Sequence, residues 1–263
     1  MSNRILIRGG GDLASGVALR LQHAGFRIII TELSQPLAVR RKVAFAEAVY
    51  EGEITIEDVT GRRAQSANEA YAFLEQGLIA VLVDPNADIL TEGGFAALVD
   101  ARLIKQPPEE PPASAPLAIG LGPGFTAGEN VEAVIETQRG HTLGRVYWKG
   151  SANADSGQPE GDPRRVLRAP AEGVLRAFAE IGEHLEAGQV IAEVAGVAIQ
   201  APFKGVLRGL MHPGIHVSQG MKLGDVDPRD RPDFCFLVSD KALAIGGGVL
   251  EALMARSALP SVS

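Results

Sequence analysis

Arg4-Ile5-Leu6-Ile7-Arg8-Gly9-Gly10-Gly11-Asp12-Leu13-Ala14 decides the class of this chain. A buried-strand run meets a glycine turn and then residues 13–24, where Leu13, Val17 and Leu21 recur at helical spacing. Gly25 stands where helices end. Residues 26–33 form a second strand, almost continuously apolar, as suits a parallel sheet buried on both faces. Pro36 opens an expected helix over 37–48. A helix over 67–75 and a strand over 78–84 follow, and a further strand ends near Asp100. The proline-rich stretch 106–116 reads as an exposed loop, after which strands resume at 117–120, 132–136 and 144–148. Strands alternating with helices predict an α/β sheet. Residues 150–162 are polar and turn-rich, as a linker would be.

Beyond the linker the chain repeats itself. Residues 169–194 and 201–226 align without a gap at an offset of 32, with ten identical positions in 26. Short strands broken by glycine turns make each copy all-β. The shared pattern A-P-x-x-G-V…G-x-x-V/L-x-x-G resembles the biotinyl/lipoyl-type barrel-sandwich hybrid. Members that act as carriers attach their arm to a hairpin lysine. The corresponding hairpin here, 194–200, has none, so no biotin or lipoate is expected.

The chain carries 25 basic and 32 acidic residues, a net charge of -7, which argues against a nucleic-acid binder. The single Cys235 cannot build a disulfide framework, and no metal site is expected. The apolar runs are strand-sized, and no export signal or membrane span is read, so the expected compartment is the cytoplasm.

The candidate ligand site is the first glycine loop. Gly9-x-Gly11-x-x-Ala14 fits a dinucleotide fingerprint between strand and helix, where glycines let a backbone approach a pyrophosphate. Gly9, Gly10, Gly11, Asp12, Leu13 and Ala14 are therefore expected to bind a cofactor, with Glu32 placed to accept ribose hydroxyls. Asp12 fits less simply, since its carboxylate competes for the same N–H groups. Asp84 ends a strand facing the same crevice. Gly122, Gly124 and Thr126 form a second expected anion loop. No catalytic residue stands out, and Gly246-Gly247-Gly248 inside the last helix has no explanation at this level.

Several segments together, 8–16, 120–128, 134–145, 224–229 and 239–251, resemble the selenium-dependent molybdenum hydroxylase system proteins, related in their N-terminal half to xanthine dehydrogenase accessory factors. The resemblance implies an accessory protein in maturation or cofactor handling of such a hydroxylase. Its partner would be a molybdenum hydroxylase or a cofactor-biosynthesis protein, and a homo-oligomer stays open. The implied ligand is a nucleotide-containing cofactor, a molybdopterin dinucleotide or NAD(P). The alternative reading is an NAD(P)-dependent oxidoreductase acting on a small molecule. The expected architecture is a Rossmann-like, mostly parallel α/β domain over 1–150 and a linker over 151–165. A barrel-sandwich hybrid over 166–230 follows, then a C-terminal strand and helix over 231–263 able to pack back on the first domain.

Overall fold

The alternating pattern is realised as one large mixed sheet. The computed structural model describes residues 3–108, 115–155, 157 and 161–256. In chain order its first part contains β1 (Arg4–Arg8), α1 (Asp12–His23), β2 (Arg27–Glu32), α2 (Ala48–Glu51), β3 (Glu53–Ile56), β4 (Val59–Ala64), α3 (Ala67–Glu75), β5 (Ile79–Val83) and β6 (Ala97–Asp100). It continues with β7 (Ala118–Leu121), β8 (Thr126–Ala127), β9 (Ala133–Ile135), β10 (Val146–Tyr147) and β11 (Gly150–Ser151). Nine of these strands pair in the order β10-β9-β7-β6-β1-β2-β5-β4-β3. The central strands are parallel, and their isoleucines and valines are buried on both faces. Strand order reverses at β1, with β2 on one side and β6 on the other. In open α/β sheets that reversal leaves a crevice at the carboxyl ends of the strands.

One local expectation is corrected. The helix over 37–48 is absent: the chain makes 3-10 turns at Arg41–Val43 and Phe45–Glu47 and a single α-turn at α2. Arg41 Nε donates to the Leu210 carbonyl and the Phe45 N–H donates to Ser15 Oγ, so long-range bonds outweigh local helical spacing. The β3–β4 hairpin, which the sequence reading left unassigned, adds an antiparallel edge. The proline-rich loop lies partly outside the described residues, at 109–114, as does part of the linker, at 156 and 158–160.

The duplicated part contains β12 (Val166–Arg168), β13 (Gly173–Ala177), β14 (His184–Leu185), β15 (Val190–Val194), β16 (Val197–Gln200), β17 (Gly205–Leu210), β18 (His216–Val217) and β19 (Lys222–Asp227). The repeat is expressed in the pairing. β13 pairs with β18 just as β17 pairs with β14, and β12 lies beside β19 as β16 lies beside β15. These strands form two four-stranded antiparallel sheets, β12-β19-β17-β14 and β16-β15-β13-β18. The expected biotinyl/lipoyl-like barrel-sandwich hybrid is not what forms. The strands are short, register shifts interrupt three of the pairings, and each sheet keeps two edges. The architecture is therefore an α/β fold with a large mixed sheet, parallel except at its two edges, plus antiparallel sheets, in place of a Rossmann-like domain joined to a small barrel.

The last helix, α4 (Asp240–Arg256), packs against α1. Two of the three glycines in its Gly246-Gly247-Gly248 run now have a reason. A Cβ on Gly246 would meet the Gly16 carbonyl oxygen at 2.8 Å, and one on Gly248 would meet the Gly144 oxygen at 2.2 Å. Backbone-to-backbone contact justifies the cost of glycine inside a helix, roughly 1 kcal/mol each. The expected strand before α4 is instead a 3-10 turn, Pro232–Cys235, with Cys235 buried against the duplicated sheets. Among the described residues no helix is long and apolar enough to cross a membrane.

Candidate functional site

A cleft of about 620 Å³ opens at the reversal point, between the carboxyl ends of β1 and β2 and the duplicated sheets. β1 and the loop after β6 bring Arg8 and Arg102 to it. The segment after β2 contributes Arg40, and the turn after β9 contributes Arg139. Arg165, Arg208 and Lys222 come from the duplicated part, and Lys241 comes from the first turn of α4. Against these eight basic residues stand three acids, Asp12, Glu32 and Asp225. In a chain whose net charge is -7, that inversion marks an anion-seeking surface.

Two of the cations are short of partners. Arg40 is only 8% exposed. Its Nη2 donates to the carbonyls of Phe234 and Leu237 at 3.1 Å each. Its Nε and Nη1 have no hydrogen-bond acceptor, and the nearest carboxylate, Asp12, is 3.6 Å from Nη1. Arg208 is half-buried beside it: its Nη1 donates to Asp225 at 3.5 Å, while its Nε has no hydrogen-bond acceptor and lies 3.7 Å from the Asp227 carboxylate. Burial, then the neighbouring Arg40 charge, pulls the Arg208 guanidinium below its ordinary pKa. Thr31 Oγ1, on the floor of the same cleft, is unpartnered as well. Among the described residues six buried side-chain polar atoms are unpartnered, and four of them belong to residues lining this cleft. Each such group costs about 1–3 kcal/mol if left dry, so their concentration in one place marks where a polar ligand or ordered water belongs.

The acids near these arginines are committed. Arg165 grips Asp225 through two hydrogen bonds of 2.8 and 2.6 Å. Arg229 grips Asp227 in the same way at 2.9 and 2.6 Å. Burial pushes the Asp227 carboxyl up, but the Arg229 side-chain and backbone donors outweigh it and hold the group at about 2. Arg139 forms a two-pronged pair with Asp240, which holds the Asp240 carboxyl well below the usual range.

The residues singled out from sequence meet this cleft unevenly. Gly9, Gly11, Asp12, Leu13 and Glu32 line it. Gly10 is turned inward, since a Cβ there would meet the Ala46 backbone nitrogen at 2.9 Å, and Ala14 is buried in the α1 core. Glu32 does not stand free for a ribose. Its carboxylate accepts the Gly10 N–H at 2.8 Å and the Leu33 N–H at 2.7 Å. Burial raises the Glu32 pKa, opposed by those two bonds. Asp12 places a carboxylate at the α1 start, paired with Arg40, where a pyrophosphate would need positive charge. Asp84 caps the following loop by accepting the N–H groups of Asp88 and Ile89. The second glycine loop is a packing device. A Cβ on Gly124 would meet the Ile104 oxygen at 2.5 Å, Gly122 sits against Thr137, and Thr126 Oγ pairs with Ser151. Gly122, Gly124 and Thr126 do not line the cleft.

From sequence, the basic run Arg40-Arg41-Lys42 could attract an anionic ligand but reads rather as a solvated face, and Arg208 is missed as a site residue. The only sequence signals for Arg40 and Arg208 are that run and the duplicated arginine, and neither reveals that they meet. Sequence reading also missed Glu47, Glu51 and His212, whose ligand atoms lie within 4.8 Å of one another. His212 Nδ1 donates to the Pro213 carbonyl, which leaves Nε2 turned toward Glu51 at 3.7 Å. Arg41 already holds Glu47, so a cation entering there would displace an existing ion pair.

No family model matches the chain. It is 49% identical over 254 residues to a protein of Escherichia coli (strain K12) named uncharacterized protein YqeB, covering 95% of this chain and 47% of that protein. The chain thus spans about half the length of that curated relative. A second match, 29% identical over 85 residues, is to a diacetyl reductase, (S)-acetoin forming, of Staphylococcus epidermidis, and covers 32% of this chain and 33% of that one. Among solved structures, an aspartoacylase family protein of Mesorhizobium loti is 14% identical with a TM-score of 0.29, covering 86% of this chain and 85% of its own. The ectoine utilization protein EutE of Ruegeria pomeroyi is 12% identical with a TM-score of 0.27 over the same shares. Likenesses this low carry no argument about activity.

These findings overturn the resemblance on which the functional expectation rested. No family model matches the chain, and none of the matches named here is a selenium-dependent molybdenum hydroxylase system protein. The maturation role and the oxidoreductase alternative are withdrawn with it. So are the Rossmann assignment and the molybdopterin dinucleotide or NAD(P) cofactor; at the expected loop the Gly10 N–H is taken by Glu32, and the Asp12 carboxylate, paired with Arg40, stands at the start of α1.

Proposed function

We propose that the cleft binds a small organic anion through one or more acid groups. The observation that carries this is a pair of arginines, Arg40 buried and Arg208 half-buried, with N–H donors that lack hydrogen-bond acceptors, set in a cation-rich cavity. An acid group is the partner that satisfies such donors most strongly, because charge-assisted hydrogen bonds are about twice as strong as neutral ones. A second acid group is favoured by the spread of basic residues on both sides of the cleft. The glycine loop, with Gly9 and Gly11, gives the ligand room on the α1 side, since a Cβ on Gly11 would meet nothing within 4 Å.

Titration calorimetry with sulfate, phosphate, succinate and citrate tests the proposal. The di- and tri-acids are expected to bind. Arg208→Gln should weaken them by at least about tenfold, given that a charged hydrogen bond contributes about 1.5–3 kcal/mol. Arg176→Gln, at the duplicated but exposed position, should leave the affinity unchanged. A saturating acid should also raise the melting temperature by several degrees, since ligand at about 100 times Kd adds about 2.7 kcal/mol. Heats no larger than those of chloride for every acid would overturn the proposal.

A further inference from the structure

The cleft that gathers the arginines also exposes leucines. Leu33 and Leu37, on the segment after β2, are 47% and 44% exposed, and Leu103, on the loop after β6, is 36% exposed. All three line the same cavity as Arg40 and Arg208. Single exposed leucines are ordinary, but three facing one cavity whose interior is cationic are a pattern. Leu103 adds a second, independent observation. Its backbone lies at φ +56°, the left-handed region that bulky residues avoid. A polar or glycine residue would relieve that conformation, yet an apolar side chain is held there. Glu32, the acid nearest these leucines in sequence, is folded back onto the Gly10 and Leu33 N–H groups. The Leu33–Leu37 side of the cleft is therefore apolar, while its charge is concentrated around Arg40 and Arg208.

We infer that the ligand is an amphipathic organic acid: an acid group meets the open donors of Arg40 and Arg208, and a hydrocarbon body lies against Leu33, Leu37 and Leu103. The inference rests on the anion-binding reading above and narrows it. Inorganic anions and compact acids satisfy the arginines but leave the leucines in water. A ligand with an aliphatic or aromatic body removes that apolar area from water as well, and the gain grows with the area covered. Carboxylate and phosphate heads are equally compatible with two arginines.

Calorimetry on the full chain separates the terms. Succinate is compared with phenylsuccinate, and phosphate with phenyl phosphate. Each substituted acid is expected to bind about tenfold or more tightly than its parent, and whichever pair binds identifies the head group. Leu37→Ser and Leu33→Ser, both at exposed positions and so harmless to folding, should each cut the substituted acid's affinity several-fold and leave the parent's unchanged. Equal affinities for parent and substituted acids, or serine variants that weaken both alike, overturn the inference while leaving the anion-binding reading intact. Absence of binding by any of the four acids overturns the anion-binding reading itself.

Discussion

The two copies of the internal repeat began as the same unit and now do different things. In the first copy Arg176 is 74% exposed on its side chain and pairs with Glu193 at 3.3 Å. In the second, the equivalent pair is Arg208 and Asp225, 3.5 Å apart beside the cleft, with side chains only 14% and 5% exposed. Phe178 is 60% exposed, and its counterpart Leu210 is 1% exposed. Ala177 has Gly209 opposite it in the alignment, and a Cβ on Gly209 would meet the Val39 carbonyl oxygen at 2.8 Å. The second copy has therefore been cut down to receive the segment that carries Arg40. The first keeps its side chains and faces water. One sequence pattern thus yields a structural copy and a site-building copy, and the docked neighbour makes the difference.

The largest break in that comparison is expected from Leu210→Ala against Phe178→Ala. The buried leucine should cost about 2–5 kcal/mol in urea unfolding. The exposed phenylalanine should stay within about 0.5 kcal/mol. Similar losses at both positions would mean the first copy is also covered in solution.

Acid sharpens the comparison next. The position equivalent to Asp227 in the first copy is Ala195, so acid sensitivity belongs to the second copy alone. Asp227 is held at about 2, below its unfolded value, which lies near 3.9. It therefore stabilises the fold above about pH 4, and that stabilisation is lost as the pH falls toward 2. Asp227→Asn should flatten the stability–pH curve across that window by on the order of 1 kcal/mol. An unchanged slope by chemical denaturation would sink the assignment.

The smallest effect belongs to the exposed pair. Arg176→Gln should change stability by less than about 0.5 kcal/mol and become indistinguishable from wild type in high salt. A larger, salt-resistant loss would show that the first copy's pair is shielded too.

What the sequence disclosed follows the range of the forces involved. Residues 4–32 were readable because strand, turn and helix each follow from neighbours a few positions apart. The repeat was readable because identity at a fixed offset needs no structure. The segment 37–48 was misread because its conformation is set by Ser15 and Leu210, far away in the chain. The dinucleotide reading failed for a related reason. The spacing of Gly9, Gly11 and Glu32 is genuine, but it cannot show that the Glu32 carboxylate turns back to take the Gly10 N–H. The site arginines were invisible as a set, because Arg40 and Arg208 come together only when the two parts of the molecule dock. Glycine was legible as an excess but not as a purpose. Gly246 and Gly248 are contact points for Gly16 and Gly144, and the pattern of a single helix cannot display its neighbour.

That glycine contact has a consequence for how the protein is made. α1 carries the loop at one wall of the cleft, and α4, whose Gly246 touches the α1 backbone at Gly16, brings Lys241 to the other. The first wall of the cavity leaves the ribosome well before the last, because the mixed sheet after β1 and both antiparallel sheets lie between α1 and α4 in the chain. Until α4 arrives, the apolar face of α1 around Val17 and Leu21 lacks its cover of Ala242, Ile245 and Val249. The nascent chain carries that exposed face while all the intervening sheets are made, the condition under which chains aggregate or call on chaperones. The cleft is therefore a late product of folding, and a chain stopped before α4 should have neither a closed α/β core nor a place to bind its acid.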